Sequence, residues 1–148
     1  MGDGRKIFVN LPVKDLDKSV AFFTKLGFTF NPQFTDKNAT CMIVAEDSFV
    51  MLLVEDFFKT FIHKPISDAT KSTEAIIALS ADSKQEVDEM FRKALAAGAK
   101  ETNPVNDQGF MYSASFTDLD SHQWEVLYMD LAAFAQFQTQ GQAQQQQQ

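Results

Sequence analysis

The stretch FVNLPVKDLDKSVAFFTKLGF, residues 8–28, passes from a strand pattern to a helix pattern. Residues 7–13 form a short apolar run that is typical of a β-strand. Asp15 or Asp17 can cap the following helix, because a carboxylate accepts hydrogen bonds from the free N–H groups of the first turn. Apolar residues then recur at helical spacing, and Gly27 ends the helix. The stretch therefore predicts a strand followed by a helix.

The second half of the sequence repeats this plan. Residues 75–81 form a strand-like run, and Asp82 or the serine after it is a candidate cap for a second amphipathic helix. An internal repeat of this kind indicates that the two halves share one structural unit. Pairing Asp15 with Asp82 aligns Phe8 with Ala75.

Three strand-like runs follow each helix, and each set is bounded by polar turns. The sequence therefore predicts an α+β fold made of two tandem βαβββ modules. We assign residues 1–56 to the first module, 57–72 to a linker with a short helix, and 73–131 to the second module. Residues 132–148 are rich in Gln and carry no charge. Because such a segment buries too little apolar surface to fold, we predict that it is a disordered tail.

Composition excludes several classes of protein. The 148 residues carry 13 basic and 20 acidic side chains, a formal net charge of −7 that argues against nucleic acid as a partner. No run approaches the ~20 apolar residues of a membrane span, so we expect no membrane partner and a cytoplasmic protein. Cys41 alone cannot form an intrachain disulfide, and two histidines cannot build a three-His metal centre within one chain.

Two segments carry a resemblance to a known family. The run FVNLPVKDLDKSVAFF (8–23), continuing to LGF (26–28), resembles the first module of the vicinal oxygen chelate superfamily. The run FTDLDSHQWEV (116–126) resembles its closing signature, an aromatic residue followed by Asp-Pro-Asp-Gly, then Trp and Glu. The superfamily includes glyoxalase I, bleomycin-resistance proteins and extradiol dioxygenases. The resemblance implies modules whose sheets curl around a shared cavity, usually in a homodimer.

The resemblance also implies where a metal would bind. In metal-dependent members each module supplies a ligand from its first strand, typically His, and one from its last strand, typically Glu. The first-strand positions are Phe8 and Ala75, and the last-strand positions are Met51 or Leu52 and Glu125. Of these residues only Glu125 has a side chain of the type that binds such a metal, whereas catalytic zinc sites generally use three protein ligands. We therefore expect no cofactor, although a weakly held divalent metal stays an alternative.

Strand alternation selects the residues that would line the cavity. If position 8 faces inward, its neighbours at alternate positions do so too, and the wall is mainly apolar, as suits an organic ligand. Glu125 is then the catalytic candidate, as a general base or acid, or else a carboxylate that only hydrogen-bonds a neighbour or water. The predicted substrate-binding residues are Phe8, Asn10, Met51, Ala75, Ile77, Tyr112, Gln123 and Leu127.

Three functions are compatible with these patterns. The leading hypothesis is a metal-independent protein of the glyoxalase and bleomycin-resistance type that binds a small apolar or aromatic molecule. The alternative is a metal-dependent enzyme, either a lyase or isomerase of the glyoxalase I (lactoylglutathione lyase) type or an extradiol-type dioxygenase, with Glu125 as base or metal ligand. A third hypothesis is a structural or regulatory dimer with a closed cavity.

Overall fold

The computed structural model describes residues 4–146 of the chain. The chain divides into two compact units, one running through Thr73 with Leu119–Ser121 added, the other comprising Glu74–Asp118 and the residues from His122 onward. Each unit contains its own mixed β-sheet and helices, so the predicted α+β class is confirmed. Within residues 4–146 no helix is long and apolar enough to cross a lipid bilayer.

The first unit follows the order strand, helix, three strands. Its elements are β1 (Ile7–Val13), α1 (Leu16–Lys25), β2 (Thr29–Asn31), β3 (Ala39–Ala45), β4 (Ser48–Val54) and α2 (Glu55–Phe58). The strand order in the sheet is β1-β4-β3-β2, with β1 parallel to β4 and the other neighbours antiparallel. Short 3₁₀ turns follow β2 and α2. The helix predicted inside the linker therefore begins earlier, directly after β4.

Asp15 determines where α1 begins. Its carboxylate accepts a hydrogen bond from the Lys18 backbone N–H at 3.1 Å, which satisfies one free donor of the first helical turn. After the helix, Gly27 has a φ of 103°, in the left-handed region that favours glycine. Phe22 and Phe23 are buried, with ring centroids 4.9 Å apart and ring planes at 90°, and these two rings anchor the helix in the core of its unit.

The second unit repeats this order with additional short strands. Its elements are β5 (Ile76–Ser80), α3 (Lys84–Ala96), β6 (Lys100–Glu101), β7 (Asn106–Asp107), β8 (Met111–Thr117), β9 (Gln123–Met129) and α4 (Leu131–Gln146). The strand order is β5-β9-β8-β6, with β5 parallel to β9, and β7 also pairs with β8. One face of this sheet packs against α3 through Val87, Ala114 and Val126, all fully buried. We call it the α3 face.

The cap of α3 corrects the predicted alignment of the two halves. Ser83, and not Asp82, is the N-cap, since its side chain accepts from the Glu86 backbone N–H at 3.0 Å. The Glu86 carboxylate in turn accepts from the Asp82 N–H at 2.7 Å, in the manner of a capping box. Asp15 therefore corresponds to Ser83, and the counterpart of Phe8 is Ile76 rather than Ala75, which precedes β5.

The turn between β8 and β9 is held by Asp118. Its carboxylate accepts from the Trp124 indole N–H at 2.9 Å and from the His122 backbone N–H at 3.0 Å, and its own N–H donates to the His122 carbonyl. Asp120, two residues on, belongs to the first unit, where it accepts from the Lys14 N–H at 2.9 Å and the Ser19 hydroxyl at 3.3 Å. The signature motif therefore serves as a structural turn.

The structure of the Gln-rich segment differs from the disorder that we predicted for residues 132–148. Helix α4 covers most of it, while residues 147–148 lie outside the described part. Asp130 accepts from the Ala133 N–H at 3.1 Å at the start of the helix. The rings of Phe134 and Phe137 then lie 5.2 and 4.8 Å from that of Phe110. These aromatic contacts, together with the favourable helix propensity of Ala and Gln, explain why a helix forms.

Ser121 provides a test of this turn. It has a φ of 67°, where a side chain is strained, and it stands at the glycine position of the family signature. We expect Ser121→Gly to raise the free energy of unfolding by about 0.5 kcal/mol, because relief of the strain exceeds the entropy that glycine loses on folding. Urea denaturation measures the difference. Ser121→Ala is the matched control, since Ala keeps the Cβ, and a glycine variant no more stable than the alanine variant would contradict the interpretation.

Candidate functional site

Glu125 is the third residue of β9 and lies on the face of the second sheet opposite to α3. Its register partner on β5 is Ala78, and its partner on β8 is Ser115. Gln123 and Leu127 lie two residues away on the same strand and therefore on the same face. Directly opposed residues of an antiparallel pair have Cβ atoms about 4.5–5.5 Å apart, so Ser115 is in reach of Glu125. We call this surface the Glu125 face.

Hydroxyl groups line the strand next to Glu125. Ser113, Ser115 and Thr117 alternate along β8 on the Glu125 face, each opposite a residue of β9. The two serines are only 7% and 5% exposed. Within residues 4–146 neither serine hydroxyl makes a hydrogen bond, and no side-chain oxygen or nitrogen there is both fully buried and unpartnered. Both hydroxyl oxygens are therefore accessible at the floor of this face.

The Glu125 carboxylate is half-buried and unsatisfied by the protein. Among the described residues it accepts no hydrogen bond and forms no ion pair. Lys100 is the basic residue whose strand pairing places it on this face, but it pairs with Thr117, two strands away from Glu125 and one row further along. The carboxylate is therefore free to accept N–H or O–H groups from a bound molecule.

The first unit presents a face of different character. Phe8, Asn10 and Met51 share one side of its sheet, since Phe8 pairs with Phe49 and Asn10 with Met51. The Phe8 and Phe49 rings stack with centroids 4.9 Å apart and planes 14° from parallel, and Phe8 is 50% exposed. Cys41, opposite Met51, is buried, and burial raises the pKa of its thiol above the usual value. This face offers an aromatic surface, and the Lys6 ammonium lies 5.8 Å from the Phe49 ring centroid.

Two predicted site residues lie on the wrong face for contact with Glu125. Ile77 pairs with Trp124 and Tyr112 pairs with Tyr128, so both belong to the α3 face. The inward orientation predicted for Ile77 is wrong because a shift of one residue in a strand reverses every side chain. For Tyr112 the sequence pattern left the face open. The residues that do flank Glu125 on β5 and β8, which sequence reasoning missed, are Ile76, Ala78, Ser113 and Ser115.

Tyr112 instead stabilises the packing of α3. Its hydroxyl donates to the Asp88 carboxylate at 2.5 Å, and the Lys84 ammonium lies 5.5 Å from its ring centroid. The hydrogen bond to Asp88 raises the pKa of Tyr112 above its usual value, and partial burial acts in the same direction. Lys84 also pairs with Asp107 at 3.4 Å. These contacts assign Tyr112 a structural role.

The residues at the family's four ligand positions do not fit a divalent metal. The first-strand positions hold Phe8 and Ile76, and the register of β4 and β9 makes Met51 the counterpart of Glu125. These positions supply one carboxylate, whereas catalytic zinc sites generally use three protein ligands. Across the part of the chain that the structure describes, no three His, Cys, Asp or Glu side chains converge as a metal site would require.

Comparison with known proteins supports the fold assignment. Residues 5–45 match the family model described as bleomycin resistance protein-like N-terminal. A hypothetical protein from S. aureus is similar in structure, with 27% identity, 86% of this chain and 95% of that chain covered, and a TM-score of 0.73. None of the curated proteins matches the sequence significantly.

Two further structures share the fold at lower identity. A glyoxalase/bleomycin resistance protein/dioxygenase family enzyme from Burkholderia phytofirmans is 16% identical, over 85% of this chain and 99% of that one, with a TM-score of 0.71. The fosfomycin resistance protein FosX from Listeria monocytogenes is 21% identical, over 86% and 94%, with a TM-score of 0.60. The chain has the glyoxalase/bleomycin-resistance fold, and the family-model match over residues 5–45 agrees with the resemblance predicted for the first module.

The role of Tyr112 gives a testable difference in stability. We expect Tyr112→Phe to lower the free energy of unfolding by about 1 kcal/mol at neutral pH, through loss of the hydrogen bond to Asp88. The pKa of Tyr112 is raised in the folded protein. The stabilisation by this hydrogen bond is therefore complete at a pH below the tyrosine pKa of about 10 in the unfolded chain, and it is lost as the pH rises through the pKa of the folded protein. Denaturant titrations at pH 7 and above pH 10 measure both effects.

Tyr128→Phe is the matched control for this experiment. Its hydroxyl makes no hydrogen bond with the described residues, so its removal should change stability little and without this pH dependence. Equal losses for the two variants would contradict the structural role of Tyr112.

Proposed function

We propose that the chain is a small-molecule-binding protein that works without a bound metal and takes its ligand on the Glu125 face. The observation that carries this proposal is the state of Glu125, a half-buried carboxylate with no partner among the described residues. A carboxylate held in this way is stabilised when a ligand donates hydrogen bonds to it. The other three family ligand positions are apolar, which favours an organic ligand over an ion.

The residues beside Glu125 on its own face favour a largely apolar ligand. Ile76 of β5 pairs with Gln123, and Leu127 lies two residues from Glu125 on β9. Ile76 is 55% exposed, so its side chain is open to a bound molecule. Apolar side chains with a few polar groups are typical of sites that bind small organic molecules. We therefore propose a small aromatic or largely apolar molecule with at least one hydrogen-bond donor.

A thermal-shift screen of small aromatic compounds tests ligand binding. A ligand that binds only the folded state at about 100 times its Kd adds about 2.7 kcal/mol of stability, which raises the melting temperature by several degrees. We expect Glu125→Ala to remove most of this shift. Glu101→Ala is the matched control, because Glu101 pairs with Phe116 and so lies on the α3 face. An unchanged shift in Glu125→Ala would exclude the Glu125 face as the binding site.

A metal-dependent enzyme is the second candidate, because Glu125 is retained at a family ligand position. In that case Glu125 would act as base or metal ligand in a glyoxalase-type lyase or isomerase, or in an extradiol-type dioxygenase. Elemental analysis of protein purified without chelators separates the two functions. We expect metal far below one equivalent per chain, because one carboxylate binds a divalent ion weakly. Stoichiometric Ni, Zn, Fe or Mn that is lost in Glu125→Gln would overturn the metal-free proposal.

A further inference from the structure

We infer that the ligand of the Glu125 face carries a protonated amine, which binds to the Glu125 carboxylate. This inference rests on the proposed function and names the chemical class of the group that Glu125 recognises. Half-burial removes part of the water around a carboxylate, and an unpaired charge in such a place is unfavourable. No described residue offsets that loss for Glu125. A cationic donor offsets it more fully than a neutral donor does.

The neighbours of Glu125 supply hydrogen-bond acceptors that an ammonium group could use. An ammonium has three N–H donors and no acceptor, so it is best held by three oxygen atoms. Ser115, opposite Glu125 on β8, has an accessible hydroxyl, and Gln123, two residues along β9, lies on the same face with a side-chain amide oxygen. Ala78 on the other side of Glu125 has no bulk that would cover the carboxylate. The face therefore offers three acceptor groups to an ammonium: the Glu125 carboxylate, the Ser115 hydroxyl and the Gln123 amide oxygen.

An anionic ligand fits this position poorly. Glu125 would repel a carboxylate or phosphate placed between β8 and β9, and the chain as a whole carries a net charge of −7. Lys100 is the cation on the same face, but it lies two strands from Glu125 and makes no ion pair with it. An anion would therefore be drawn towards Lys100 and away from Glu125. The charges on this face predict which end of a ligand Glu125 selects.

Three compounds that share one ring test the inference on the unaltered full chain. Benzylamine is protonated at pH 7, benzyl alcohol is neutral, and benzoate is anionic. Titration of ¹⁵N-labelled protein reports both affinity and location. We expect benzylamine to shift amide signals of β8 and β9 around Ser115 and Glu125, with a Kd roughly tenfold or more below that of benzyl alcohol, as a charge-assisted hydrogen bond provides. Benzoate should not shift these signals.

Two variants with the same change in net charge locate the effect. Glu125→Gln keeps the size of the side chain and should abolish the preference for benzylamine over benzyl alcohol. Glu101→Gln, on the α3 face of the same sheet, should leave that preference intact, since it alters only the long-range field. The comparison of the three compounds needs no variant, so it stands even if a variant folds poorly.

The outcomes distinguish this inference from the proposed function. Binding at β8 and β9 with equal affinity for amine and alcohol, or with benzoate preferred, would overturn the inference while leaving the binding function standing. A preference that persists in Glu125→Gln, or that disappears equally in Glu101→Gln, would also overturn it. If none of the three compounds shifts these signals at millimolar concentration, both the inference and the binding function of this face are contradicted.

Discussion

The burial of Trp124 and Val126 on the α3 face determines the orientation of every other side chain on β9. Both residues are about 1% exposed or less, and Val126 packs with Val87 and Ala114. Because side chains alternate along a strand, burial of these two on one side directs Glu125 to the other. The same pleat carries Ser115 beside Glu125 across β8. The candidate site is therefore held in place by the core behind it.

The turn before β9 also fixes the register of this strand, because it holds the start of the strand in place. Asp118 is buried and accepts hydrogen bonds from the Trp124 indole and from the His122 backbone, so the start of the strand cannot slip without breaking a buried, charge-assisted contact. Asp118 looks like part of a functional signature in the sequence, but it influences Glu125 only by fixing the position of β9. The part of the chain that resembles the family's closing motif therefore includes a residue that builds the turn.

The parts of the structure that follow from local chemistry were predictable from the sequence. Asp15 followed by an apolar helical stripe and Gly27 places α1 correctly, since cap, stripe and glycine all lie within a short stretch. The predicted alignment of the second module with the first is one residue off because Asp82 and Ser83 are both good helix caps. Only the contact of Glu86 with the Asp82 N–H selects Ser83. Helix α4 was missed because its anchor, Phe110, lies some twenty residues earlier in the chain.

The two units repeat one plan but present faces of opposite character. In the first unit, both positions at which the resemblance implies a metal ligand are apolar, Phe8 and Met51, and the rings of Phe8 and Phe49 form an aromatic surface. In the second unit these positions hold Ile76 and Glu125, and Glu125 lies beside the hydroxyl groups of β8. A half-buried carboxylate without a protein partner must be hydrated or paired with a cation. The hydroxyl-lined strand β8 would meet that requirement for a molecule with several donors, whereas an apolar residue at position 125 would not.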